Sequence, residues 1–412
     1  MTSRFDAVVI GAGPAGAATA ILLARAGWNL VLVEQDQYPR RKVCGECVTA
    51  GTLALLDDLE VGPDIRVHGG PELRRIAWMS QSATVIADFP VCHDGPYRYG
   101  RVLPRDVLDG SLVARARRQG VEVLQPARVR AVRGVPGAFE CDIESTQPGW
   151  TRTLQAAIVI DAHGSWRRGP QVTQPVPQKL FRTQHQLADL FAFKAEFQDA
   201  KLDPDMLPVM ALPGGYGGMV VAAEGRMTLA CCLRRDALSA CRVENGMRAG
   251  EAVERFLLTQ CRGVREALTG AWRRGPWLAV GPLRPGAHRP AADGMFRVGN
   301  AAGESHPLTG EGIGMALQSA TLLASELTRE PGASISAHAA REIQARYSLA
   351  WRAAFSRRLG AAAVFAHIAM RPRFASGACA LLARWPVLLT EAARIAGKSR
   401  AYSAGTLHQP AR

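Results

Sequence analysis

The pattern of apolar and polar positions changes period several times along the chain. Ala7-Val8-Val9-Ile10 and Leu30-Val31-Leu32-Val33 are unbroken apolar runs, separated by a glycine turn and an Ala/Leu-rich stretch ending near Gly27. Runs of four bounded by turn residues predict strands covered on both faces, and the 3.6-residue period between them predicts the crossover helix of a βαβ unit. Gly51 to Leu59 keeps helical spacing, whereas Glu72 to Phe89 alternates in twos and predicts antiparallel strands. A helix is expected from Arg105 to Gly120, then strands at Val121 to Leu124, Ala127 to Val132 and Phe139 to Glu144, with Pro136-Gly137 and Pro148-Gly149 as hairpin turns. Leu154 to Asp161 is another buried run, and alternation dominates again from about Phe181 to Leu283, with one helical segment from Glu251 to Gln260. After a short run at Phe296 to Gly299, helical spacing follows Gly312 through Leu327; the tail from Ser334 to Gly397 is helical, with breaks at Pro372 and Pro386. One α/β fold interrupted by a β-rich insertion accounts for this order.

Composition narrows the class. The 412 residues are 48% hydrophobic and 21% charged, which is globular rather than disordered. Arg371, Arg373 and Arg384 break the apolar runs of the tail below the roughly 18–20 residues that span a bilayer. Met1 to Asp6 leads into the first strand without a signal-peptide pattern, so a cytoplasmic location is expected. Nine cysteines, odd in number and irregularly spaced, argue against a disulfide framework. The net charge of +14 is concentrated in the tail, with twelve Lys or Arg against two Glu from residue 331 onward. No basic stripe interleaved with aromatics runs through the rest, which argues against nucleic acid. The tail is read as packing on the body through a solvated arginine-rich face, with peripheral membrane contact as the other reading.

Gly11-Ala12-Gly13-Pro14-Ala15-Gly16 fits the dinucleotide fingerprint: Gly11 for a tight turn, Gly13 for close approach of backbone to a pyrophosphate, Gly16 for helix–strand packing. The helix N-terminus then faces the anion. Glu34 ends the second strand, where a carboxylate accepts hydrogen bonds from an adenosine ribose. The fingerprint alone does not separate nicotinamide from flavin dinucleotides.

Far down the chain come Gly299-Asn300-Ala301-Ala302-Gly303 and Pro307-Leu308-Thr309-Gly310-Glu311-Gly312-Ile313. Here the sequence resembles the flavoprotein superfamily that contains para-hydroxybenzoate hydroxylase, geranylgeranyl reductases and flavin-dependent halogenases. The resemblance implies an α/β, Rossmann-like FAD-binding domain of glutathione-reductase-like, para-hydroxybenzoate hydroxylase type. An inserted antiparallel β-sheet substrate domain and a helical C-terminal tail complete it. The FAD-binding domain is assigned to residues 1–70, 100–180 and 284–330, the substrate domain to 71–99 and 181–283, and the helical basic region to 331–412. The cofactor implied is FAD; with no second glycine-rich fingerprint, NAD(P)H is the expected transient donor.

The same resemblance assigns cofactor contacts to Gly11, Gly13, Ala15, Gly16, Glu34, Arg41, Cys44, Arg105, Val129, Asp161, Asn300, Pro307, Gly310, Gly312 and Ile313. Asn300 stands where an Asp is usual and still offers a hydrogen bond to the ribityl chain. Asp161-Ala162-His163-Gly164 spreads apart a normally adjacent Asp-Gly pair. Arg41-Lys42-Val43-Cys44-Gly45-Glu46-Cys47 most resembles the geranylgeranyl reductase branch, which makes Cys44 a candidate proton donor or redox partner, and the Cys-x-x-Cys spacing permits a local disulfide. Tyr216, in Pro213-Gly214-Gly215-Tyr216-Gly217, is expected to line the substrate cavity, and His306 to lie close to the flavin ring as a proton carrier. The reaction expected is reduction or desaturation of a C=C bond in a hydrophobic small molecule. Flavin-dependent aromatic hydroxylation is the alternative, and a non-catalytic flavin-binding module the reading from another class. Halogenation is set aside because no Trp-x-Trp-x-Ile-Pro segment occurs and no lysine lies between Lys42 and Lys179.

Overall fold

Two eight-stranded sheets organise the chain in the computed structural model, which describes residues 4–81, 83–147, 149–165, 169–172, 186–241, 246–288, 293–329 and 335–398. The segment around the expected boundary near residue 180, and the tail beyond Lys398, lie outside the described residues.

In the first sheet, Arg4–Ile10 lies between Thr151–Asp161 and Leu30–Val33, with Glu122–Leu124 beyond, all in parallel. Phe296–Arg297 also pairs in parallel with the end of Thr151–Asp161. The other half of Thr151–Asp161 pairs antiparallel with Ala138–Ser145, which in turn meets Ala127–Val135. The four-residue apolar runs are fully buried strands, as expected for a parallel sheet covered on both faces. One cover is the Pro14–Arg25 helix, whose alanines let it sit close to the sheet and to the Gly312–Leu327 helix in one apolar core.

The second sheet runs Trp272–Arg273, Leu190–Gln198, Met227–Arg234, Gly215–Val221, Met206–Leu212, Arg75–Met79, Thr84–Asp88, with Leu278–Leu283 also beside Leu190–Gln198. It is not wholly antiparallel: Met206–Leu212 runs parallel to Arg75–Met79. More than a hundred residues separate these two strands, so the chain returns through the first sheet and needs no local hairpin between them. Pro208 hides Met206–Leu212 from a periodicity reading, because proline lacks the ladder N–H and argues against a central strand.

The tail forms helices Ala337–Ala369, Pro372–Arg384 and Val387–Ile395. The first joins both cores: Tyr347, Trp351 and Phe355 pack in the nucleotide-fold core, and Ala366 and Ala369 in the second-sheet core. Among the described residues no helix is long and apolar enough to cross a membrane.

One polar cluster ties the sheets together. Glu46 is 2% exposed and sits in the left-handed region at φ 58, which costs a non-glycine residue about 1 kcal/mol or more. Its Oε1 accepts from Lys194 Nζ at 2.6 Å and from the Arg105 backbone N–H at 3.2 Å; its Oε2 accepts from the Thr228 hydroxyl at 2.8 Å. Lys194 and Thr228 belong to the second sheet, whereas Arg105 opens a helix of the nucleotide fold. Breaking a buried pair on one side leaves an uncompensated charge. Lys194→Met is therefore expected to lower the free energy of unfolding by about 3–5 kcal/mol in urea melts. Adding Glu46→Gln should recover a large part of that loss; additive losses would rule the coupling out.

Candidate active site

One cavity runs from the glycine turn of the first sheet to the inner face of the second, lined by Gly11, Gly13, Ala15, Glu34, Cys44, Arg105, Val129, Tyr216, Asn300, Pro307, Gly310, Gly312 and Ile313 among others. The glycines divide by physical reason. Gly11 has φ +97, and a Cβ on it would meet Ala162 O at 2.6 Å; a Cβ on Gly16 would meet Gly11 O at 1.9 Å. Those two are demanded by the turn and by helix–strand packing. Gly13, Gly45 and Gly312 have ordinary φ values, and a Cβ on each would have no protein atom closer than 4.0 Å. Neither backbone nor packing demands glycine at these three cavity-lining positions, so what their smallness preserves is room for an occupant.

The turn end of the cavity is cationic. Arg105 is buried, bonded bidentate to Asp109 at 2.8 Å, and its Nη2 is 4.0 Å from where a Gly13 Cβ would stand. Arg40 bonds Glu34 at 2.9 Å and Asp36 at 2.7 Å. Burial, then the guanidinium groups of Arg40 and Arg105, pull the Lys42 ammonium down to about 7. Cations held this close around a helix N-terminus fit a diphosphate, which would relieve their mutual repulsion. Glu34 also accepts from the Ala12 N–H at 2.8 Å and the Asp36 N–H at 2.9 Å. With Arg40 counted, three of its roughly four acceptor positions are taken, leaving one for a ribose hydroxyl. Val129 lies beside a register shift in its strand, where a bulge brings backbone to the cavity.

At the other end stand the Cys44–Cys47 segment, the Pro307–Ile313 loop and the second sheet. Cys44 is half-buried, and its Sγ accepts from the Glu46 N–H at 3.4 Å. Cys44 and Cys47 are both free thiols, so the permitted disulfide is not formed. The Tyr216 ring is 1% exposed and its hydroxyl is 3.1 Å from His306 Nδ1. Burial raises the Tyr216 pKa well above 10 and lowers that of His306 to about 4. The imidazole is therefore neutral and the tyrosine protonated, and which of the two donates follows from the imidazole tautomer. Asn300 donates to the Ser165 hydroxyl at 2.6 Å and lies 3.5 Å from Glu304, whose carboxyl burial pushes up.

Four expected site residues lie off the cavity wall, and the first, Gly16, packs against Gly11 and Ala162. Arg41 turns out toward Glu196 at 3.5 Å, and its neighbours Arg40 and Lys42 take the wall instead. Asp161 points into the sheet end, 2.5 Å from His163 Nδ1 and 3.8 Å from Arg297; against the burial that pushes its pKa up, these partners hold it low. His306 stands behind Tyr216 and reaches the cavity only through that hydroxyl. Sequence reasoning passed over Arg40, Lys42, Glu46 and Lys398 as site residues. The density of basic residues from Arg40 to Lys42 signals the first two, and Gly397 after a helical run signals the last. Nothing local in the sequence pairs Glu46 with Lys194, 148 residues away.

The family model of the FAD binding domain matches residues 4–244. Menaquinone reductase of Mycolicibacterium smegmatis is 26% identical over 96% of this chain and 92% of its own length. Digeranylgeranylglycerophospholipid reductase 1 of Methanococcoides burtonii is 25% identical over 86% of this chain and 81% of its own. Among solved structures, a myxobacterial chondrochloren halogenase superposes with a TM-score of 0.71 at 22% identity, covering 86% of this chain and 80% of that one, a likeness of fold. A cavity with a glycine turn, a cationic wall and a second helix N-terminus, in a sequence matched over more than half its length, leads to one conclusion: the chain belongs to the FAD binding domain family and is an FAD-dependent oxidoreductase.

Proposed function

We propose that this enzyme reduces or desaturates a C=C bond in a hydrophobic, isoprenoid-like substrate, with NAD(P)H as transient donor in the cytoplasm. The observation that carries the reading is the apolar end of the cavity. Leu207, Val209, Val220, Leu283 and Leu308 line it beside Tyr216, continuous with the cationic end. A pocket that is mostly apolar with a few polar groups suits a lipid-like chain. The names of the two reductases described above support the same substrate class. Halogenation stays outside the proposal, since the lysine that follows Lys179, Lys194, is spent on Glu46 and Glu196.

Arg40, Lys42, Arg105 and the Gly13 helix start would hold the FAD diphosphate, Glu34 and Val129 the adenosine, and Asn300 with the Pro307–Ile313 loop the flavin side. Reduced FAD supplies the hydride. Cys44, half-buried on the cavity wall, supplies the second proton. Tyr216, its hydroxyl held by His306, orients the substrate.

Three measurements bear on this reading. The photoreduced enzyme should be reoxidised without oxygen by a polyprenyl quinone or lipid, with loss of one double bond by mass spectrometry, and Cys44→Ser should slow that step about 10²-fold at unchanged substrate affinity. Reoxidation that needs oxygen and leaves it in an aromatic product would make the enzyme a hydroxylase. Lys42 gains a phosphate partner on FAD binding, so its pKa rises from about 7. Titration calorimetry in two buffers at about pH 8 should thus show uptake approaching one proton, absent near pH 5.5, with FAD affinity falling as pH rises through that window. The tail presents exposed Phe374, Leu381, Trp385, Val387 and Leu388 beside exposed Arg373 and Arg384, a face suited to an anionic lipid surface. Phosphatidylglycerol vesicles should sediment the enzyme, and Phe374→Ser with Trp385→Ser should weaken binding about tenfold; equal binding by the variant would exclude this face.

A further inference from the structure

The last described residue of the tail reaches the cavity. The Val387–Ile395 helix ends in a double hydrogen bond, Gly397 N–H to Arg394 O at 2.9 Å and Lys398 N–H to Ala393 O at 3.1 Å, with Gly397 at φ +86. This glycine-based helix stop reverses the chain and fixes the direction of the residue after it. Lys398 is consequently 4% exposed and lines the cavity. Its Nζ is 3.8 Å from Cys47 Sγ and 2.9 Å from where a Cβ on Gly310 would stand. It therefore lies between the two segments that bound the non-phosphate end.

Among the described residues no carboxylate lies within 4.0 Å of Nζ, and a thiol is its one hydrogen-bond partner. The nearby Glu311 carboxylate is engaged by Arg358. An ammonium buried this deeply without an anion is costly. The N-terminus of the sixteen-residue Gly312–Leu327 helix, with no acidic residue in its first turn, opens at the same place and adds positive potential there. Two independent positive features thus converge at one end of the cavity while the diphosphate is accounted for by Arg40, Lys42 and Arg105 at the other. With adenosine at Glu34 and Val129, the part of FAD left for this end is the isoalloxazine ring, which gains negative charge on reduction.

We propose that Lys398 is the cation that holds the negative charge of the reduced flavin ring, so that the C-terminal helices tune the electron affinity of the cofactor. The proposal rests on FAD binding alone, not on the substrate reading. Its test needs no substrate: FAD content, thermal midpoint, the reduction equilibrium against a reference dye, and the dissociation constant of sulfite. Sulfite donates its lone pair to form an S–N bond at N5 of the oxidised ring, leaving the ring with a negative charge. Lys398→Met should keep its FAD, shift the reduction equilibrium about tenfold toward the oxidised form, which is about 30 mV for a two-electron couple, and weaken sulfite about tenfold. Lys398→Arg should restore both to within about threefold. Equilibria unchanged within twofold in FAD-loaded Lys398→Met would overturn the proposal. So would an equal loss in Lys398→Arg, which would make the residue a packing element.

Discussion

A carboxylate buried between two sheets must find partners from both, and Glu46 does so only when the nucleotide fold and the second sheet are in register. Lys194 and Thr228 come from adjacent strands of the second sheet, paired so that Lys194 faces Ala230 and Glu196 faces Thr228. Arg105 contributes its backbone N–H from the first turn of its helix while its guanidinium reaches toward Gly13. Gly45 and Glu46, the latter with a left-handed backbone, separate half-buried Cys44 from Cys47, which is buried in the strand that pairs with Arg101–Val102. Pairing is the requirement and cavity shape its consequence: a shift of either sheet would expose or orphan the charge.

The rest of the cavity follows from two helices that begin at its wall. The Pro14–Arg25 helix and the Gly312–Leu327 helix pack together, and a Cβ on Gly299 would stand 2.7 Å from Ala15 Cβ. Their N-termini therefore open toward the same space from neighbouring positions. A dinucleotide, anionic at its diphosphate, would meet N–H donors at both places. Water would satisfy the same N–H groups equally well, so the helix ends alone do not select a ligand. Selection comes from Gly13, Gly45 and Gly312, which leave volume where the protein has no use for it.

What was legible in the sequence is what depends on short separations. The βαβ opening, the glycine turn, the Gly312–Leu327 helix and the three tail helices with their proline breaks all lie within about a helix length of their own signals. Whether an arginine faces inward is a different kind of fact. Arg40, Arg41 and Lys42 read alike as basic residues, yet Arg41 goes to Glu196 across the sheet boundary while its neighbours face the cavity. Asp161 is expected at the cofactor from the resemblance of its segment to the middle Asp-Gly motif of the superfamily; its side chain is engaged by His163, two residues on, and by Arg297 of the neighbouring strand. The contacts of Arg41 with Glu196 and of Asp161 with Arg297 join residues more than a hundred positions apart, and local pattern does not carry them.

The tail shows how a single number can join two unrelated uses of charge. Its excess of arginine and lysine reads as one basic segment, but Arg358 and Lys398 are buried against the Pro307–Ile313 loop whereas Arg373, Arg384 and Arg394 are exposed. The buried pair needs the loop to be shaped around it: a Cβ on Gly303 would stand 2.4 Å from the Trp351 ring, and a Cβ on Gly397 would stand 2.9 Å from Glu311. Loop and tail are thus mutually dependent, with glycine on each side at the points of closest approach. The exposed arginines touch no part of that loop: Arg384 lies over the exposed Trp385 ring and Arg394 pairs with Glu391 on its own helix. Removing the outward charges would alter what the surface attracts, whereas removing the inward ones would alter the wall of the cavity itself, and a net charge of +14 distinguishes neither case from the other.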